Sequence, residues 1–143
     1  MKNKKILSFL FAIVVLVGSS FSAFAALPPE STVSPLYIEA KSIVPSIAYS
    51  GNNATAKATI STYSGCTVKV TLTIQSYSSA GWTDYATFPT QTVGTIASIP
   101  KSVSNTSYNI PDGYYRTSAY FEIYMNGVFV ESDTVTCSMK YKG

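Results

Sequence analysis

The chain has 143 residues, ten of them basic and seven acidic, for a formal charge of +3, and it contains no histidine. That length allows one domain. Without histidine there is no Ser-His-Asp or Cys-His nucleophile and no imidazole metal ligand, and two cysteines cannot make a classical zinc site, so the chain reads as non-enzymatic, with no metal and no cofactor.

The first element is an export signal. Lys2, Lys4 and Lys5 precede an apolar run from Ile6 to Val17 broken only by Ser8, and Ala23-Phe24-Ala25 closes it. A positive start, an apolar middle and an A-x-A end are the three parts of a secretory signal peptide. The competing reading, a membrane anchor, wants about 20 apolar residues, and this run is shorter. Residues 1–25 are therefore expected to form a cleavable signal helix, cut between Ala25 and Ala26. Those three lysines carry the whole charge excess, so the remainder balances at seven basic and seven acidic residues. A balanced chain has nothing to draw it to phosphate or anionic lipid. Neither a lipid-modifiable Cys after the cleavage point nor an apolar tail is present. The expectation is a secreted, extracellular protein with no stable membrane anchor and no nucleic-acid partner.

Residues 26–36 hold three prolines and little periodicity, and each Pro fixes φ and removes a donor. They read as an extended leader to a domain over 37–143. Alternation then takes over. Ala54, Ala56, Ala58 and Ile60 alternate with Thr55, Lys57 and Thr59. Val68, Val70, Leu72 and Ile74 alternate with Lys69, Thr71, Thr73 and Gln75. Ala119, Phe121, Ile123 and Met125 alternate with Ser118, Tyr120, Glu122 and Tyr124. Period two with one wet face predicts antiparallel strands over a core. Gly51-Asn52-Asn53, Ser64-Gly65, Ala80-Gly81, Pro111-Asp112-Gly113 and Asn126-Gly127 punctuate these runs. Asn126-Gly127 suits a two-residue type I′ turn joining strands at about 115–125 and 128–138. Residues 93–110 follow no single period. Six to eight short strands without a helix predict an all-β fold, an antiparallel β-sandwich. Tyr115 opens a strand with inward parity, where immunoglobulin-type sandwiches place a buried Tyr whose hydroxyl bonds back across the corner. An immunoglobulin-like sandwich is thus expected. It is not of antibody type, because Thr117 stands where the antibody Cys would be and Trp82 lies beyond its usual strand.

Gly51, Asn53-Ala54-Thr55, Leu72-Thr73-Ile74-Gln75, Trp82 and Gly113-Tyr114-Tyr115-Arg116 together resemble an uncharacterised group of small secreted β-sandwich proteins of Gram-positive bacteria. The likeness spans most of residues 50–125, with Phe88 where a second Trp is common. It implies fold and compartment, and no activity. It also discounts the glycosylation sequons at Asn53 and Asn105.

Parity puts Tyr120 and Tyr124 on the wet face of their strand, where aromatics stack on sugar rings, contact proteins, or simply pack across strands. Tyr114, Arg116, Tyr120, Glu122, Tyr124 and Trp82 are the candidate binding residues. Arg116 reads either as an anion or sugar contact flanked by aromatics or as a solvated Arg stacked over a neighbouring Tyr. Trp82 reads either as a loop-tip contact or as a core or rim residue. Glu131 and Asp133 share one strand face and read as solvated charge, although paired carboxylates also serve glycosidases and Ca²⁺ sites. Cys66 and Cys137 are an even pair in an exported chain, so a disulfide is the first expectation. If four reversals separate them, however, their ends lie at opposite poles, leaving buried free thiols or an intermolecular bridge. The leading functional expectation is a non-catalytic extracellular interaction module for a protein or glycan partner. A carbohydrate or cell-wall binder and a bacteriocin-like protein are the alternatives.

Overall fold

The computed structural model describes residues 38–143. The expected signal over 1–25 and the leader over 26–36 lie outside the described residues. Nine strands and no helix make up the described part: β1 (Ala40–Ser50), β2 (Asn53–Thr62), β3 (Thr67–Ser78), β4 (Gly81–Thr87), β5 (Gln91–Gly94), β6 (Lys101–Ser107), β7 (Gly113–Met125), β8 (Val128–Thr136) and β9 (Lys140–Lys142). They form two sheets, in which every strand pairing is antiparallel. One sheet runs β1-β2-β6, and the other runs β4-β3-β7-β8 with β5 also on β3 and β9 also on β7. The all-β, antiparallel expectation holds, with nine strands in place of six to eight.

Period-two alternation decides which side chains are buried. Ala54, Ala56, Ala58 and Ile60 of β2, Val68, Val70, Leu72 and Ile74 of β3, and Ala119, Phe121 and Ile123 of β7 all belong to one buried cluster that draws on both sheets. β2 contributes methyl groups except at Ile60, while β3 and β7 contribute the larger Leu72, Ile74, Phe121 and Ile123. β1 and β6 add the larger Ile43, Ile47 and Val103 to the same cluster. Alternate residues such as Lys57, Lys69 and Tyr120 stay exposed.

Turn chemistry sets the registers. Asn126 (φ 50°) and Gly127 (φ 79°) both take the left-handed conformation that a type I′ hairpin requires. β8 accordingly folds back on β7, with one register shift between Ile123 and Tyr124. A two-residue turn at Gly51-Asn52 closes the β1–β2 hairpin at Ser50↔Asn53. Counting back from that pair, hydrogen-bonded and non-hydrogen-bonded positions alternate. Pro45, opposite Ala58, falls on a non-hydrogen-bonded position. Its nitrogen therefore points away from β2, toward the free edge of the sheet.

Residues 93–110 resolve into the end of β5, an isolated Ile96↔Ile99 bridge, and β6 against β2. Their lack of period has a physical cause. Val103 and Ile110 are buried, but Ile96, Ile99 and Tyr108 are exposed. Just beyond, Tyr115 is 2% exposed. Its hydroxyl donates to the Pro111 carbonyl at 2.9 Å, the bond back across the corner that its parity suggested. Burial pushes its pKa up, and Tyr85 and Asp112 nearby add to the rise.

The expected disulfide is corrected: Cys66 and Cys137 are both free. Cys66 precedes Thr67, which faces Tyr124, whereas the Cys137 N–H bonds to the Thr117 carbonyl. The two thiols thus sit near opposite ends of β7. Seven residues at roughly 3.3 Å each put about 20 Å between them, far beyond disulfide reach. β3 and β8 both pair antiparallel to β7, so they run parallel to each other, and the start of one is remote from the end of the other. Cys66 Sγ lies 3.2 Å from Thr95 Oγ1, and Cys137 Sγ accepts from Thr117 N–H at 3.1 Å. Burial pushes the Cys137 thiol up in pKa, outweighing the backbone bond from Thr117.

Glu131 is not a solvated charge. Its Oε1 accepts the N–H groups of Glu39 (2.9 Å) and Ala40 (2.8 Å), and its Oε2 accepts that of Ile38 (2.8 Å). One carboxylate on β8 therefore holds the start of β1. Burial alone would raise its pKa, but the three donors outweigh that and lower it. At the other end of the domain Lys142 on β9 is 6% exposed, and its Nζ lies 2.6 Å from Asp112 Oδ1.

Candidate binding face

The candidate residues come together on the outer face of the larger sheet. Tyr114, Arg116, Tyr120, Glu122 and Tyr124, exposed or half-buried, alternate along β7 with the buried Tyr115, Thr117, Ala119, Phe121 and Ile123, and Ser118 shares their parity but is itself buried. Lys69, Thr71, Thr73 and Gln75 lie beside them on β3, paired with Glu122, Tyr120, Ser118 and Arg116 in turn.

Two clusters form, separated along β7. In the first, the Tyr120 hydroxyl donates to Glu122 Oε1 at 3.0 Å and the Tyr124 hydroxyl to Glu122 Oε2 at 2.7 Å. Lys69 Nζ stands 4.6 Å from the centre of the Tyr124 ring, and Phe129 of β8 meets that ring edge-on at 5.8 Å. The Tyr124 hydroxyl, then the Tyr120 hydroxyl, hold the Glu122 carboxyl below its ordinary pKa, and Lys69 adds to the effect. The bond to Glu122 raises the Tyr124 phenol in turn. The arrangement is one carboxylate held between two phenol donors.

In the second cluster the Arg116 guanidinium lies 4.1 Å above the Trp82 ring. Its Nε donates to Gln75 Oε1 at 2.8 Å, and Gln75 Nε2 donates to Asp84 Oδ1 at 2.8 Å. Tyr77 tilts against Trp82 at 5.2 Å. Burial lowers the Arg116 pKa, against the opposing influence of Cys137. Arg116 is thus stacked and partnered, on Trp82 in place of a Tyr. Trp82 sits half-buried just inside β4 rather than at a loop tip. Tyr114, farther along β7, packs against Tyr141 of β9 at 5.1 Å.

Next to the first cluster a groove of about 410 Å³ is lined by Lys69, Thr71, Thr90, Thr92, Tyr120 and Glu122. Thr71 Oγ1 and Thr90 Oγ1 are 2.7 Å apart and share a hydrogen bond. Reading the sequence alone misses four of these residues. Lys69 and Thr71 carry the outward parity of β3, a usable signal. Thr90 and Thr92 follow Pro89 in a stretch without alternation, and only the docking of β5 on β3 brings them in.

Chemically the face offers oriented hydroxyls, balanced charge from Lys69 and Arg116 against Glu122 and Asp84, and an open aromatic ring. Asp84 pairs with Gln75, and Gln75 with Arg116, six residues from Glu122 along β7. That is about 20 Å, too far for two-carboxylate chemistry. Among the described residues no three His, Cys, Asp or Glu side chains converge on a metal-sized site. No protein-family model matches the chain, and no curated protein matches it.

Proposed function

We propose that this is a secreted, non-catalytic interaction module, an immunoglobulin-like β-sandwich that binds a partner outside the cell through the outer face of the β4-β3-β7-β8 sheet. The sandwich reading is supported by the single buried cluster drawn from both sheets. The immunoglobulin-like reading is supported by strand order: with β1 as strand A, β1-β2-β6 reads A-B-E and β4-β3-β7-β8 reads C′-C-F-G. The Tyr115–Pro111 bond at the start of the F-like strand supports it further. Secretion rests on the three-part pattern of residues 1–25.

One observation carries the binding role. Tyr120 remains 42% exposed while its hydroxyl is bonded to Glu122, so a large ring stands in the open with its polar end already partnered. Aromatic side chains contribute contact area at little entropic cost and are frequent binding anchors. The test is retention of the processed protein on purified peptidoglycan and on an array of extracellular proteins, compared with Tyr120→Ala/Tyr124→Ala. Retention that the double variant loses is the expected result. Equal retention of both proteins, or none of either, overturns the reading. Intact mass after export from a bacterial host tests the compartment, with a chain starting at Ala26 expected.

A further inference from the structure

The groove beside Tyr120 is specific enough in its chemistry to name a class of occupant. We infer that it takes a neutral pyranose unit of an oligosaccharide, an assignment that rests on the outer face being the binding face.

Charge comes first. Lys69 and Glu122 are register partners across β3 and β7, so the groove carries one positive and one negative head and selects no ion. Both heads are oriented beforehand, Lys69 over the Tyr124 ring and Glu122 between two phenols. Each Glu122 oxygen accepts one phenol and keeps a second acceptor position. The carboxylate can thus accept a sugar hydroxyl without releasing either tyrosine.

The hydroxyls come second. Thr71, Thr90 and Thr92 line the same groove. A Thr hydroxyl carries one donor and two acceptor positions. The Thr71–Thr90 bond uses one donor and one acceptor between them, so one donor and three acceptors remain for a ligand. A polyhydroxylated ring offers both donors and acceptors, which this mixture matches.

The ring and the volume come third. The exposed Tyr120 side chain offers an aromatic ring on which the apolar C–H face of a pyranose can stack. About 410 Å³ falls within the size range of small-ligand sites. A protein partner would want an apolar, fully desolvated pocket for its anchor residue, and five of the six lining residues are Lys, Thr or Glu beside only one ring. That composition favours the sugar.

The experiment is titration calorimetry of the processed protein with cellohexaose, maltohexaose and N-acetylchitohexaose, alongside a heparin-derived hexasaccharide. At least one neutral hexasaccharide is expected to bind. Tyr120→Ala should weaken that binding about tenfold, and Thr71→Val/Thr90→Val should also weaken it. Lys57→Ala, on the outer face of the other sheet, should leave it unchanged. Unaltered melting curves keep a loss of binding from being read as a loss of fold. Three outcomes overturn the inference: no neutral saccharide bound at millimolar concentration, binding indifferent to Tyr120→Ala, or tighter binding of the sulfated hexasaccharide. If the saccharides fail while an extracellular protein is retained through Tyr120, the sugar assignment falls and the binding face stands. If nothing is retained at all, both fall.

Discussion

Replacing Glu131 by Gln tests how the start of β1 is held. In the native chain Oε1 accepts two backbone N–H groups and Oε2 accepts a third. Gln is close to isosteric but has one acceptor atom. With its oxygen in the place of Oε1 it keeps the Glu39 and Ala40 bonds, now neutral, and turns an NH₂ toward the Ile38 N–H. Ile38 is exposed, so water takes over that donor at little cost. The two retained bonds each lose charge assistance, worth about 1 kcal/mol apiece. The expected destabilisation is about 2 kcal/mol, or roughly 8 °C in Tm for a domain of this size. Urea unfolding followed by circular dichroism measures it. The effect also has a pH signature. Glu131 has a folded-state pKa below the ordinary 4.5. Its stabilisation is therefore fully present above 4.5 and is lost as pH falls through the lower folded value. The gap between native and Glu131→Gln should close in acid, with little change between neutral pH and pH 6. A gap under about 0.5 kcal/mol at neutral pH, or one that persists unchanged well below the folded value, would refute the clamp.

Other consequences are as direct. Tyr115→Phe removes the hydroxyl that serves the Pro111 carbonyl and should cost about 1 kcal/mol, read from the same urea midpoints; no change would mean the corner bond contributes nothing. Phe121→Ala empties the largest fully buried position and should cost about 3–5 kcal/mol, so a midpoint shift under 1 kcal/mol would argue against the shared core. The thiols are free, so intact mass should be indifferent to reductant. Iodoacetamide should then add two groups in denaturant, and Cys66 should be protected under native conditions.

The parts of the fold legible in the sequence are those where one face is fully buried and the other exposed or half-exposed. The alternating runs at 54–60, 68–75 and 119–123 identify the core because any slip in register would bury Thr and Lys. Asn126-Gly127 is legible because few residue pairs tolerate positive φ twice in succession. Tyr115 is legible through its parity with Ala119 and Phe121. The illegible parts depend on pairings between distant segments. β5 is four residues long and β9 three, too short to show a period. The role of Glu131 depends on the register shift opposite Ile123 and Tyr124, which no local pattern announces. On the candidate face, all six residues named from the sequence lie on the outer side of one sheet, but their grouping was not visible. Arg116 and Trp82 pair with each other, Tyr120 and Tyr124 share Glu122, and Tyr114 joins Tyr141. The groove itself needs β5 beside β3, a neighbour relation that alternation cannot encode.

Pro45 has an effect that reaches beyond a single copy of the chain. An outermost strand is a standing invitation to further strands, and long unguarded borders are where sheet proteins polymerise. At mid-border on β1 the missing donor and the projecting pyrrolidine ring block an incoming strand from completing its ladder. That border is thereby a poor template for edge-to-edge pairing between copies.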